Sequence, residues 1–72
     1  MEVRLFASLR ENRDKVVRVD WHEGINGHAV FEVLDISPQA VAIYLVNGVN
    51  ADLGVPLLES DVVSLFPPVG GG

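Results

Sequence analysis

The sequence predicts an α+β domain, a mixed sheet of four to five strands with one main helix packed on one face. Three observations carry this. Apolar residues recur at every second position near both ends of the chain, a single stretch carries helical spacing, and turn signals separate these segments. A lone amphipathic helix must cover one face of a sheet if both apolar surfaces are to be buried. Seventy-two residues leave no room for a second core, and a domain of this size should keep a net stability of only ~5 kcal/mol. With 49% hydrophobic and 21% charged residues the chain has the composition of a folded domain, not of a disordered segment.

Residues 2–9, Glu-Val-Arg-Leu-Phe-Ala-Ser-Leu, open with alternation that sends Val3 and Leu5 to one side and Arg4 and Phe6 to the other, the pattern of a half-buried strand. Arg10–Asp14 is a polar turn. Val16–Trp21 resumes the period of two, with Val17, Val19 and Trp21 inward and Arg18 and Asp20 in water, so the two strands form a hairpin. Asn26 is a favoured helix N-cap, and Ile25 and Val30 occupy the positions of a hydrophobic staple. Val30, Val33 and Leu34 predict the apolar stripe of this helix. Ser37-Pro38 is the expected stop, because the residue before a proline avoids the helical region.

Val41–Val46 is an uninterrupted apolar run and predicts a buried strand. Asn47-Gly48 suits a tight reversal that needs positive φ at both central positions, with Val49–Ala51 as a short return strand. Pro56–Glu59 suggests one helical turn with its leucines under the sheet. Ser60-Asp61 is a turn, and Val62–Phe66 is the last strand. A hairpin, a helix and a crossing to further strands is the order of the β-grasp, or ubiquitin-like, arrangement. The expected division is a β-grasp domain over 1–66 and a flexible glycine tail over 67–72.

Charge and composition exclude several functions. All five basic residues (Arg4, Arg10, Arg13, Lys15, Arg18) fall in the first eighteen positions, which carry +2, whereas the remainder has seven acids, no Lys or Arg, and carries −7. Such a surface argues against nucleic acid, whose phosphates reward Lys and Arg, and suits a basic protein partner. With no cysteine in the chain there is no disulfide, thiolate metal site or cysteine nucleophile. His22 and His28 have no patterned companions, so no metal site is expected. Glu32 and Asp35 form a solvated helix face, and Lys15, the single lysine, is a surface residue. No stretch approaches the ~20 apolar residues of a membrane span or resembles a signal peptide, and a cytoplasmic, monomeric protein is expected. By strand parity Phe6, Tyr44 and Phe66 form an aromatic stripe on the open face of the sheet, a typical interface anchor.

The ending is the most informative stretch. No ionisable side chain follows Asp61, and the chain closes Phe66-Pro67-Pro68-Val69-Gly70-Gly71-Gly72. The prolines end the strand and favour an extended exit. Three glycines remove side-chain bulk, and six residues from Pro67 reach at most ~20 Å.

Val3–Glu11, Val46-Asn47-Gly48 and Glu59–Gly72 resemble the MoaD/ThiS sulfur-carrier family, whose MoaD branch ends in Phe-Phe-Pro-Pro-Val-x-Gly-Gly where this chain has Leu-Phe-Pro-Pro-Val-Gly-Gly-Gly. The chain is shorter than most MoaD proteins, mainly around the helix. The resemblance implies a carrier and not an enzyme. An adenylating partner of the ubiquitin-activating type joins the C-terminal carboxylate to AMP from ATP, and a sulfide or persulfide donor then converts it to a thiocarboxylate. It implies that Gly72 is the reactive residue and Gly71 its steric requirement. Pro67, Pro68, Val69 and Gly70 accompany Phe6, Tyr44 and Phe66 in partner binding, and no cofactor is bound. In the molybdopterin branch the acceptor is the large subunit of molybdopterin synthase. Thiamin or tRNA-thiolation carriers, and a protein modifier joined to lysines through the same terminus, share this chemistry; a binding module with an inert tail does not.

Overall fold

The computed structural model describes residues 1–68; Val69, Gly70, Gly71 and Gly72, expected to complete the tail, lie outside the described residues. The chain runs β1 (Glu2–Leu5), β2 (Val16–Arg18), α1 (Gly27–Leu34), β3 (Ile43–Val46), β4 (Val49–Asn50) and β5 (Val62–Phe66), with 3-10 turns at Ala7–Arg10 and Pro38–Ala40. One sheet of five strands has the order β2-β1-β5-β3-β4. The central pair, β1 and β5, is parallel, and the other pairings are antiparallel. This is the expected α+β, β-grasp architecture.

Side-chain alternation builds the core. Val3, Leu5, Val63 and Leu65 are fully buried where β1 and β5 lie side by side, in register Val3–Val63 and Leu5–Leu65. Each such side chain contributes roughly 1.5–3 kcal/mol through removal from water. α1 covers them. The Asn26 side chain accepts the Ala29 amide at 3.0 Å, which caps an otherwise unsatisfied helix donor. Ile25 and Val30, the staple pair, are buried.

The helix departs from the expected stripe. Phe31, not Val33, faces the sheet, and Val33 is 63% exposed. The buried face is Gly27, Val30 and Phe31 with Leu34 packed beside them, spaced i, i+3, i+4 and i+7. Its first member has no side chain, so the hydropathy pattern conceals it. The helix also ends before Ser37-Pro38. Asp35 adopts the left-handed conformation (φ 54°, ψ 47°), and the Ile36 amide returns to the Phe31 carbonyl at 2.9 Å, a Schellman-type closure that buries Ile36. Ser37-Pro38 instead opens the second 3-10 turn.

Three further segments differ from expectation. β1 stops at Leu5 instead of running to Leu9, because Ala7 turns to φ 53° and the next turn folds Leu9 back into the core. The 41–46 run is a strand only from Ile43, and its residues alternate because one face of the sheet carries no helix among the described residues. Pro56–Glu59 forms no helical turn. Leu57 alone is buried, its amide donating to the Ile25 carbonyl at 2.7 Å and its carbonyl accepting Trp21 Nε1 at 2.8 Å, whereas Leu58 is exposed.

Candidate functional site: the open sheet face at the root of the tail

Strand register decides which aromatics lie on the open face. Tyr44 stands opposite Leu65, and Ile43 opposite Phe66; residues directly opposite share a face. Tyr44 is therefore buried with Leu65, contrary to its expected place in an exposed stripe. Phe66 shares the open face with Ile43, which is 43% exposed. Phe6 continues the alternation of β1, and its amide donates to the Leu65 carbonyl at 3.2 Å. The rings of Phe6 and Phe66 stack with centroids 4.2 Å apart and planes 9° from parallel.

A third group completes the layer. The Arg10 guanidinium carbon lies 5.4 Å from the Phe6 ring centroid, within cation–π range, and Arg10 Nε donates to the Leu5 carbonyl at 2.8 Å. Arg10 reaches this position because the 3-10 turn brings residue 10 back over residue 6. A continued strand would have carried it away, so sequence reading placed it in a polar turn. The result is a stack of guanidinium, ring and ring at the end of β5, where Pro67-Pro68 leave the sheet.

The same face holds more of the positive charge. Arg4 stands opposite Ser64 and Val16, and Arg18 opposite Glu2. Arg4 Nε pairs with Glu2, and that hydrogen bond holds the Glu2 carboxyl below its ordinary range. A docked partner therefore meets guanidinium groups around an apolar centre. The acidic surface, which was expected to attract a basic partner, lies elsewhere: Glu23, Glu32, Asp35, Asp52 and Glu59 are exposed on α1 and the loops.

Opposite this face, Tyr44 sits edge-on to Phe31 (centroids 6.0 Å, 84°). Its ring explains Gly27: a Cβ there would stand 2.8 Å from Tyr44 Cζ and 2.7 Å from Leu53 Cδ2. The Tyr44 hydroxyl is buried without a hydrogen-bond partner among the described residues. Burial, with the Asp61 charge second, raises its pKa.

Asn47 does more than turn. With φ of 53° at Asn47 and 80° at Gly48, the pair closes the β3–β4 hairpin. Asn47 Nδ2 also donates to Asp61 Oδ1 at 2.8 Å, and its Oδ1 accepts the Val62 amide at 2.9 Å. Asp61 Oδ2 accepts the Leu58 amide at 2.8 Å. The near-buried Asp61 thus fixes the start of the strand whose other end carries the tail. His22 and His28 are both exposed, and no cluster of three metal-ligating side chains occurs among the described residues. No helix of the described residues is long and apolar enough to cross a membrane.

Comparison with known proteins bears on this geometry. SAMP1 from Haloferax volcanii superposes with a TM-score of 0.79 at 29% identity, covering 99% of this chain and 97% of that one. A second structure, of H. volcanii small archaeal modifier protein 1, gives 0.78 at 27% identity over 94% and 95% of the two chains. A chain from the complex of subunits 1 and 2 of molybdopterin-converting factor from Helicobacter pylori gives 0.62 at 27% identity over 99% and 96%. A search of curated proteins finds no significant match. The ThiS family model matches residues 3–72, nearly the whole chain and its glycine ending. By that match, and by its β-grasp fold, this chain is a member of the ThiS family, within the wider MoaD/ThiS group of small ubiquitin-like carrier and modifier proteins.

Proposed function

We propose that this protein is a sulfur carrier, adenylated and then thiocarboxylated at Gly72, which donates sulfur in cofactor biosynthesis, with molybdopterin as the favoured product. The observation that carries the reading is the family match extending through Gly72, on a chain whose last strand ends in a half-buried aromatic stack.

A free carboxylate is a poor electrophile. Attack of the Gly72 carboxylate on the α-phosphate of ATP releases pyrophosphate and creates an acyl-adenylate with a good leaving group. Sulfide then displaces AMP; with a persulfide donor a thiol reductant completes the release. The adenylating partner must exclude water, so it receives the tail through a narrow channel. Gly71 and Gly72 have no Cβ to strike the walls, and Pro67-Pro68 reduce the entropy lost on threading. The body is the handle: Phe6 and Phe66 supply flat apolar area, and Arg10, Arg4 and Arg18 match acidic groups on the partner's rim. Likeness to a chain in the molybdopterin-converting factor complex supports the large subunit of molybdopterin synthase as acceptor.

Intact mass after incubation with ATP, the cognate adenylating enzyme and a sulfur source tests this. Exchange of one oxygen for sulfur at Gly72 is expected, with loss of the exchange on deletion of Gly71-Gly72. An unchanged mass with an enzyme proven to be cognate would sink the proposal. A second reading, conjugation to target lysines through the same terminus, is favoured by the likeness to small archaeal modifier protein 1; lysine-linked adducts in cells are its signature.

A further inference from the structure

The sheet ends at β2, the terminal strand in the order β2-β1-β5-β3-β4. One side of β2 pairs with β1, and nothing among the described residues pairs with the other. The hydrogen bonds show which backbone groups remain. Met1 and Val19 exchange both bonds, at 2.9 and 3.0 Å, and the Lys15 carbonyl accepts the Leu5 amide at 2.8 Å. In an antiparallel pair such bonds fall at every second residue, so residues 15, 17 and 19 face β1. The N–H and C=O groups of Val16 and Arg18 therefore point outward, two donors and two acceptors along one edge. Side chains divide by the same alternation. Val17, opposite the buried Val3, turns to the helix side, whereas Val16 and Arg18, opposite Arg4 and Glu2, turn to the open side. On the helix side the edge borders an open cleft of about 590 Å³, lined by Asn12, Arg13, Asp14, Val17, Val33 and Leu34. Val33, on α1, is the exposed apolar residue of its far wall.

We propose that β2 binds an extended acidic segment of a partner protein as a sixth strand, with apolar side chains over the cleft and carboxylates between them on the open side. Main-chain bonds to Val16 and Arg18 supply the pairing, and the pockets beside the edge supply the selectivity. The alternation follows from the geometry of the edge. Every second side chain of an added strand lies on the helix side, next to Val17 and toward Val33 and Leu34; those between lie on the open side, next to Val16 and Arg18. Charge selects the chemistry of the second set. Residues 13–18 hold Arg13, Lys15 and Arg18 against one acid, Asp14, a net +2 in a chain of net −5. All three bases are exposed and make no ion pair among the described residues. The same charges disfavour a second copy at this edge, because two β2 strands side by side would bring two +2 segments together. The site makes no use of Gly72, so it stands or falls apart from the sulfur-carrier reading.

The probe is the blocked peptide acetyl-Asp-Val-Glu-Val-Asp-Val-Glu-amide, titrated into the 15N-labelled full chain, with amide shifts and hydrogen exchange read at each residue. Saturation is expected to slow exchange at the Val16 and Arg18 amides, which point outward in the free chain. The Val17 amide, directed at β1, should change little. That contrast between neighbouring residues distinguishes strand addition from attraction of charge alone. A peptide with lysine in place of each acid should bind at least ~10-fold more weakly. N-methylation of two adjacent central residues, one of which must face β2, should abolish binding.

Two variants of the chain complete the test. Arg18→Glu should weaken binding roughly tenfold, and Val33→Ser, at an exposed position, several-fold with melting unchanged. If Arg18→Glu loosens β2 itself, Val33→Ser and the N-methylated peptide still decide the matter. Unaltered exchange at Val16 and Arg18, equal binding of the lysine peptide, full affinity in Val33→Ser, or shifts confined to Phe6 and Phe66 would each overturn the proposal. Protection of the Val16 and Arg18 amides that rises with chain concentration in the absence of peptide would overturn it too, by assigning the edge to a second copy.

Discussion

The two faces of the sheet share strands but not purposes. Along β5, Val63 and Leu65 point to the helix and are fully buried, whereas Val62, Ser64 and Phe66 point away and stay partly exposed. The helix side spends its apolar area on folding. The open side keeps Phe6, Phe66 and Ile43 together with no element among the described residues to cover them, framed by Arg10, Arg4 and Arg18. A domain with ~5 kcal/mol of stability has little reason to leave a stacked aromatic pair in water unless something else covers it. The difference teaches that side chains one residue apart in sequence can be divided between the core and the surface.

The largest expected effect breaks the buried side. Leu65→Ala should remove 2–5 kcal/mol, most of the total, and chemical denaturation should find the variant largely unfolded. Gly27→Ala comes next: its methyl would strike Tyr44 and Leu53, and overpacking of this kind lowers stability by ~1–3 kcal/mol. The paired change Phe6→Ala and Phe66→Ala should act oppositely. Its loss of unfolding free energy should stay below that of Leu65→Ala, since both rings are already partly exposed and the stack adds only ~0.5–1.5 kcal/mol beyond their burial. Its affinity for the adenylating partner, read by calorimetry, should nevertheless fall ~10–100-fold. An unchanged affinity would remove the open face from the proposal.

The smallest effect sharpens the comparison from inside. Tyr44→Phe deletes a buried hydroxyl that has no partner and should be neutral or stabilising by up to ~1 kcal/mol. It should also change the alkaline limb of the stability profile. The folded-state pKa of Tyr44 is raised above 10.0, so the unfolded chain loses this proton first. The contribution is whole below that ordinary value and declines as pH rises through the folded one. Wild type should therefore lose more stability than Tyr44→Phe in denaturation curves taken above the ordinary tyrosine range.

Those contrasts also mark what the sequence made legible. Val3, Leu5, the Asn26 cap and the Asn47-Gly48 turn are local signals, each decided within a few residues, and the structure has them as expected. Tyr44 was misplaced because an apolar run contains no polar residue to reveal its parity; only pairing with β5 sets it. Phe31 lost its place to Val33 because the stripe begins at a glycine, which has no hydropathy to read. Leu57 looked helical beside Pro56, yet its position is fixed by Ile25 and Trp21, more than thirty residues away. Phe6 and Phe66 were placed correctly, while Arg10 was missed because no pattern announces the 3-10 turn that lays it on the ring.

The Asn47–Asp61 hydrogen bonds have a mechanical consequence. β5 is bonded along both edges, to β1 and to β3, and its first amide is pinned by Asn47. A pull on the tail along the strand axis loads both ladders in shear, so many bonds must yield together. A pull on the hairpin turn would instead peel β4 from β3 one bond at a time. A load applied at the C-terminal end of β5 would thus enter the sheet through its central strand and be shared by both neighbours at once.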